Sequence, residues 1–542
     1  MGVSLAAMIA AAPVAASTPA LTSDRASTYV SARAASISGN HAQAAQLYAR
    51  LAAGSAESAL IDKAVTAAIS AGNMPLALNL IRGAPQSPKS VDSKLLLVAD
   101  ALRRGQSAEA AAVLGPSTAE GELGFWLPLV RAWDAADRRD AGTALSVLGQ
   151  VPKNSALAAF VDEETALILL KLGKGAEAEP FARRAIGNAG PREYRLRLAL
   201  AAGFAALGDR PRTLAMIEGI GSNADELRKA ADSGKLARMK IDTGAKAFSE
   251  QMVALAVEMR RSNPRGAPIN ILQLARFAAP DNSSALLFLG TALDDVDRTD
   301  EALAAFRAIS REDPLYPESL DAQARTLTGV DRFAEALTVA RAATQGQSVS
   351  DEDFARLADV YSAMDRHDEA ADAYLQAITR SGGGDWTLLL LRASALESAN
   401  RWPEAQAALG EAMRIAPLQP LILNFLGYAK LERGEDLDTA EALIRKASSL
   451  APDDASITDS LGWALFKRGR TDEAIATLQK AAAGDPAQAE IHEHLGDALF
   501  SAGRRFEARF AWQAALATAD AQSSGRLQSK IDGGLTPATA AR

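Results

Sequence analysis

A fixed spacing of 34 residues runs through the last third of the chain. Matched residues at this spacing are Leu461 and Leu495, Gly462 and Gly496, Ala474 and Ala508, and Ala481 and Ala515. A period of this length is typical of stacked helical hairpins, in which each repeat contacts only its neighbours. The spacing therefore predicts an extended helical array. It also directs the search for function to a long open surface before any catalytic pocket.

These positions resemble the tetratricopeptide repeat, a helix–turn–helix unit of about 34 residues. That family places a large residue and a Gly on its first helix and spaced Ala residues on its second. A small residue at the helix crossing lets two backbones approach closely, and larger side chains fill the space around the contact. The resemblance is specific over residues 283–520 and generic before Gly219. It implies an all-α fold, a right-handed α-solenoid of roughly a dozen hairpins.

Breaks in the helical spacing suggest a division of the chain. Gly and Ser cluster between Gly219 and Ala245, where we predict a boundary between two solenoids; a single superhelix with one irregular repeat is the alternative. The predicted segments are a signal peptide (1–16), divergent N-terminal repeats (25–218), an irregular connector (219–244), a C-terminal solenoid (245–520), and a tail with a short capping helix (521–542).

Composition excludes several classes of function. The net charge of −8 argues against nucleic acid as the main partner, because phosphate binding needs a basic face. The absence of cysteine removes disulfides, thiolate nucleophiles and cysteine zinc sites. We find no nucleophile elbow, phosphate-binding loop or dinucleotide fingerprint. The sequence therefore predicts a protein that is not an enzyme and needs no cofactor.

The histidines do not form a metal-binding pattern. His492 and His494 are two residues apart on a predicted helix, so their side chains point about 200° apart. A helical zinc motif needs a spacing of four. We predict no metal site, with His492 packed against a neighbouring helix and His494 exposed. Asn282, which begins a formal glycosylation sequon, is predicted instead to cap a helix.

The N-terminus resembles an export signal. Residues 3–16 are mostly apolar, and the small residues before Ser17 suit a signal peptidase. No Lys or Arg precedes them, and the stretch is too short to span a bilayer. We predict an exported, periplasmic protein with no integral membrane segment in the mature chain. The alternative is a cytoplasmic protein with an Ala-rich leader.

The family resemblance implies a binding groove. In the family, certain positions of the first helix of each repeat line the concave face. The corresponding residues here are Asn424, Tyr428, Leu431, Asp459, Trp463, Phe466, Glu493, Asp497 and Phe500. Aromatic residues flanked by polar groups suit an extended peptide or a partner helix. The other interpretation is that these aromatics simply pack on the next repeat.

The predicted binding groove indicates a function. The array resembles, in style, the repeat arrays of cell-envelope proteins in Gram-negative bacteria. We predict a non-enzymatic scaffold that binds a partner peptide or helix in the C-terminal groove. The alternatives are a cytoplasmic assembly or regulatory module, and an accessory subunit of an envelope polysaccharide or glycosyltransferase system.

Overall fold

The chain folds into antiparallel helical hairpins. The computed structural model describes residues 19–53, 57–84, 90–115, 126–153, 156–220, 224–263, 267–345 and 349–541, and these contain helices and no strands. They form two compact units that divide between Asp331 and Arg332. The all-α prediction is confirmed. The predicted signal peptide (1–16) lies outside the described residues.

The first unit contains eighteen α-helices in its described part, with short 3-10 helices at Ala156–Phe160, Gly190–Arg192 and Leu236–Met239. The α-helices are α1 (Pro19–Ile37), α2 (His41–Ala52), α3 (Ser58–Ser70), α4 (Met74–Arg82), α5 (Val91–Arg103), α6 (Ser107–Leu114), α7 (Trp126–Asp137), α8 (Ala141–Gly149), α9 (Val161–Lys171), α10 (Gly175–Gly187), α11 (Glu193–Ala206), α12 (Arg210–Ile217), α13 (Ala224–Asp232), α14 (Gly244–Ser262), α15 (Ile269–Ala278), α16 (Ser283–Asp294), α17 (Thr299–Arg307) and α18 (Tyr316–Gly329).

The second unit contains twelve more helices within the described residues. They are α19 (Phe333–Ala343), α20 (Asp351–Ala363), α21 (His367–Arg380), α22 (Trp386–Ser398), α23 (Trp402–Ile415), α24 (Pro420–Arg433), α25 (Leu437–Leu450), α26 (Ala455–Lys467), α27 (Thr471–Gly484), α28 (Ala489–Ser501), α29 (Arg505–Thr518) and α30 (Ala521–Gly533). From α20 to α29, each even-numbered helix pairs with the one that follows it. We call these the first and second helix of a hairpin.

Small residues set the helix crossings, as the sequence predicts. A Cβ added to Gly462 on α26 would lie 2.6 Å from Cγ of Leu478 on α27. A Cβ on Gly496 of α28 would overlap the indole of Trp512 on α29. The large side chain of the second helix therefore lies directly on the backbone of the first, at the density of a protein interior.

Helix ends follow local chemistry. The Asn282 side chain accepts a hydrogen bond from the Ala285 N–H at the start of α16, which confirms the predicted cap. Between the helices of the last two hairpins, Gly469 and Gly503 have φ of +76° and +79°, a conformation that costs other residues more. None of the helices described is both long and apolar enough to cross a lipid bilayer.

The first unit departs from a simple stack. The connector residues form α13 and a 3-10 helix, after which α14 and α15 return to pack on α3, α5 and α7. Phe248 of α14 lies 5.3 Å from Trp126 of α7, measured between ring centroids. Asn270 of α15 donates to Asp92 of α5 at 3.0 Å. The expectation that repeats contact only their neighbours is therefore wrong here, because this hairpin covers one face of the N-terminal array.

Candidate partner-binding groove

The predicted groove residues lie on one series of helices in the second unit. They are carried by α24, α26 and α28, each of which contacts the next, with the second helices α25 and α27 packed between them. We call this face of α24, α26 and α28 the C-terminal groove. Because successive first helices are one repeat apart, side chains at equivalent positions become neighbours across the face.

Burial differs along the groove. Leu431, Asp459, Trp463, Glu493 and Asp497 are buried. The other four predicted residues, Asn424, Tyr428, Phe466 and Phe500, are partly buried. Most of these side chains therefore contact other parts of the protein in the isolated chain.

Trp463 is the centre of a stack of rings. Its indole is 1% exposed and lies parallel to His494 of α28, with ring centroids 4.1 Å apart, and against Phe466 at 5.2 Å. Its Nε1–H donates to Glu432 of α24 at 2.7 Å, and the Lys467 ammonium lies 4.9 Å from the ring centroid. The residue thus joins three successive first helices, which supports the packing interpretation of this aromatic.

The two histidines are placed opposite to the prediction. His494 is fully buried and His492 is partly exposed, because the face we assigned to solvent is the one that meets α26. His494 Nδ1 lies 2.9 Å from Asp459 Oδ2. Burial would lower the pKa of His494, but the carboxylates of Asp459, Glu490 and Asp497 together raise it above its usual value. His494 Nε2 is buried with no hydrogen-bond partner among the described residues.

The far end of the groove is a cluster of buried charges. Lys530 of α30 is fully buried, and its ammonium donates to Glu493 at 2.6 Å and to both oxygens of Asp497 at 2.7 and 2.8 Å. Arg526 makes two further hydrogen bonds to Glu493, at 2.9 and 2.8 Å. Burial would raise the pKa of Glu493, but the hydrogen bonds from these two cations hold it below its usual value.

A segment after α30 turns back over the groove. We call residues 534–541 the hook. Gly534 lies so close to the Phe500 ring that a Cβ would be 2.7 Å from its Cζ. Leu535 packs on the same apolar cluster as Phe466 and Phe500. At the other end, the Ala541 N–H donates to Asp497 Oδ2 at 2.9 Å. The hook thus covers much of the predicted groove.

The near end of the groove carries two partly buried polar side chains, Asn424 and Tyr428. Tyr428 is partly buried, and burial first, then the carboxylates of Glu490, Glu432 and Asp459, raise the pKa of its hydroxyl. One turn earlier, Asn424 has a buried side-chain oxygen with no hydrogen-bond partner in the described part of the chain. The Asn424 oxygen and the Tyr428 hydroxyl are both buried, so the group that this end presents to solvent is the carboxylate of the exposed residue Glu490. Such a surface can accept the main-chain N–H groups or cationic side chains of a partner.

Sequence reasoning missed a second polar cluster, in the first unit. Glu163 of α9 pairs with Arg192 and Arg195, each at 2.8 Å, and Arg195 also pairs with Glu250 of α14. All four side chains are at most 8% exposed. Charges buried on this scale are stable only when paired, so the cluster fixes α14 on the N-terminal array. The signal in the sequence was charged residues within otherwise apolar stretches.

Family models identify part of the array. One for the tetratricopeptide repeat matches residues 355–420, and another matches residues 462–503. The matches fall on hairpins of the second unit, including two of the three helices that form the C-terminal groove. The chain therefore contains tetratricopeptide repeats, a class of repeat known for binding other proteins. No curated protein matches the chain.

Several solved structures are similar to this chain at low scores. Yeast Tom70 is 12% identical, with 95% of this chain and 96% of that one covered, at a TM-score of 0.39. The Cut9–Hcn1 hetero-tetramer of the APC/C is 15% identical, with 95% and 98% covered, at 0.38. A tetratricopeptide repeat protein from Parabacteroides merdae is 14% identical, with 46% and 97% covered, at 0.40. At these scores the likenesses say nothing about the function of this chain.

Proposed function

We propose that this protein is a non-enzymatic scaffold that binds a partner peptide or helix in the C-terminal groove. One observation carries the proposal: the groove already holds an irregular protein segment, the hook, through both apolar contact and a main-chain hydrogen bond. A face that binds protein in this way needs only the exchange of one segment for another to engage a partner.

The chemistry of the groove supports a protein ligand over a small substrate. Its acidic groups are held by hydrogen bonds from Trp463, His494 and Lys530, so they are fixed rather than free to react. Tetratricopeptide repeats elsewhere bind proteins, which supports the same conclusion. We further propose that the chain is exported and acts in the bacterial cell envelope, on the basis of the apolar leader and its small-residue cleavage site.

Photo-crosslinking tests the proposed function. A photo-reactive amino acid is placed at Glu490, which is exposed beside Tyr428, and in a matched variant at Gln479, which is exposed on α27 away from the groove. We expect a discrete crosslinked partner from Glu490 and none from Gln479, in cells that express the full chain. Equal crosslinking from both positions, or none from Glu490, would refute the groove assignment.

N-terminal sequencing of the native protein tests export: a start at or near Ser17 is expected, and an intact Met1 or Gly2 would contradict it.

A further inference from the structure

The hook differs from the rest of the second unit in how it is attached. Its middle residues Thr536, Pro537 and Ala538 are exposed, and its contacts with the groove are made at its two ends. α30, by contrast, is anchored by Leu527 and Lys530, both fully buried. The hook can therefore leave the groove while α30 stays in place.

We propose that the hook is an internal ligand of the C-terminal groove, and that the partner replaces it. The partner is an extended protein segment that donates a main-chain N–H to Asp497 and places a Gly, Ala or Ser side chain where Ala541 lies. This inference rests on the proposed function, because it names the kind of partner that the groove takes and the contact that partner must displace.

The Asp497 carboxylate is positioned to accept a hydrogen bond from a main-chain N–H. It is fully buried, and its Oδ1 accepts from Lys530 at 2.7 Å and from Trp512 Nε1 at 2.9 Å. Its Oδ2 accepts from Lys530 at 2.8 Å, and the hook supplies the fourth donor, at 2.9 Å. A carboxylate has about four lone-pair sites, so one of them serves a segment that is not part of the repeat array. Because α29 and α30 fix the other three, little further ordering is needed when that segment binds.

The space around Ala541 restricts the side chain. Ala541 is 7% exposed and belongs to one apolar cluster with Leu431, Ile444 and Trp463. A larger side chain would have to displace these residues, whereas a main-chain hydrogen bond is indifferent to side-chain identity. The groove is therefore selective for small residues at this position.

The hook also lowers the apparent affinity of a partner for the C-terminal groove. A segment on a short flexible connection has an effective concentration on the order of 1 mM. If the same segment bound in trans with a dissociation constant of about 100 μM, the hook would weaken its apparent affinity for the intact chain about tenfold. Partners in this affinity range thus bind the intact chain about tenfold more weakly than a chain whose hook is open.

One substitution pair tests the inference in the full chain. Ala541→Asp places a carboxylate beside Asp497 and should release the hook, while Ala538→Asp adds the same charge at an exposed position of the same segment. The probe is a fluorescent peptide with the sequence of residues 534–541, amidated at its C-terminus, and its binding is followed by anisotropy. We expect the Ala541→Asp chain to bind the peptide about tenfold more tightly than the wild-type and Ala538→Asp chains.

A truncated chain controls for indirect effects of the Ala541→Asp substitution. A chain that ends at Gly533 lacks the hook but keeps α30, and it should bind the peptide as tightly as Ala541→Asp does. A peptide with Trp in place of the last Ala should bind neither opened chain. Equal binding of the peptide by the Ala541→Asp, Ala538→Asp and truncated chains would overturn the inference.

The two experiments fail separately. The peptide assay requires no partner, so tight binding to the opened chain without a crosslink from Glu490 would sink the proposed function and leave the hook assignment standing. A specific crosslink together with no peptide binding would do the reverse.

Discussion

A buried carboxyl group in the first unit should make the stability of the chain depend on pH. Glu164 of α9 is 1% exposed and accepts hydrogen bonds from Trp133 Nε1 at 2.6 Å and from Gln251 of α14. Burial, followed by the charge of the adjacent Glu163, raises the pKa of Glu164 from 4.5 to about 8. The folded protein therefore holds a proton at neutral pH that the unfolded chain releases.

The sign and size of the effect follow from proton linkage. Between pH 4.5 and 8 the folded state binds one more proton than the unfolded state, so the free energy of unfolding falls as pH rises through this range and is level above it. A difference of roughly 3.5 pKa units corresponds to about 5 kcal/mol. Glu164→Gln keeps a neutral hydrogen-bonding group of similar shape. It should match wild type near pH 5 and exceed it by several kcal/mol above pH 8.

Urea unfolding of the full chain measures this directly. The transition is followed by tryptophan fluorescence, to which Trp133 contributes from beside the substituted group, at pH 5.5, 7 and 8.5. Glu177→Gln on α10 is the matched control, since Glu177 is exposed and should leave the pH profile unchanged. If Glu164→Gln and wild type lose stability in parallel as pH rises, the buried proton does not exist and the reasoning fails.

Two further predictions concern the second unit. Lys530→Met leaves the buried carboxylate of Asp497 without its cation and should lower the free energy of unfolding by about 3 kcal/mol. Lys480→Met, at an exposed position, should change it by less than about 0.5 kcal/mol, and urea titrations that give equal losses for the two variants would contradict the charge cluster. Gly496→Ala forces a methyl group against the Trp512 indole on α29 and should lower the free energy of unfolding by about 1–3 kcal/mol. Gly525→Ala, in open space on α30, should raise it by about 0.5–1 kcal/mol. A thermal melt in which both substitutions act in the same direction would refute the close crossing of α28 and α29.

The repeat period was sufficient to predict the hairpins. Spaced small residues such as Gly462 and Gly496 are needed wherever two helices cross closely, so their recurrence specifies the element type, its length and its neighbours. The same register predicts that Trp463 and Asp497 lie on one face of the array. Local chemistry likewise predicted the cap at Asn282, because the donor and acceptor are three residues apart.

The segments that cover the two repeat arrays, α14 in the first unit and the hook in the second, could not be predicted from the repeat period. α14 has the composition of an ordinary repeat helix, and the burial of Glu250 and Gln251 depends on partners more than 50 residues earlier in the chain. In the second unit, the packing of Trp463 on the next repeat agrees with the alternative interpretation of the sequence, whereas the burial of His494 against α26 was not predicted. The hook has no periodic pattern, so its return to Asp497 could not be read from spacing. Contacts between distant segments carry no local signal, which is why they were missed.

The packing of α14 on the first array has a consequence for biosynthesis. The apolar face of α5 and α7 emerges from the ribosome well before the helix that covers it, since α7 ends at Asp137 and α14 ends at Ser262. At about 5–20 residues per second, that face waits on the order of ten seconds for its cover. During this interval the nascent chain exposes Trp126 and Trp133 to other proteins. Chaperone dependence should therefore be concentrated in the first unit, whose folding cannot be completed one hairpin at a time.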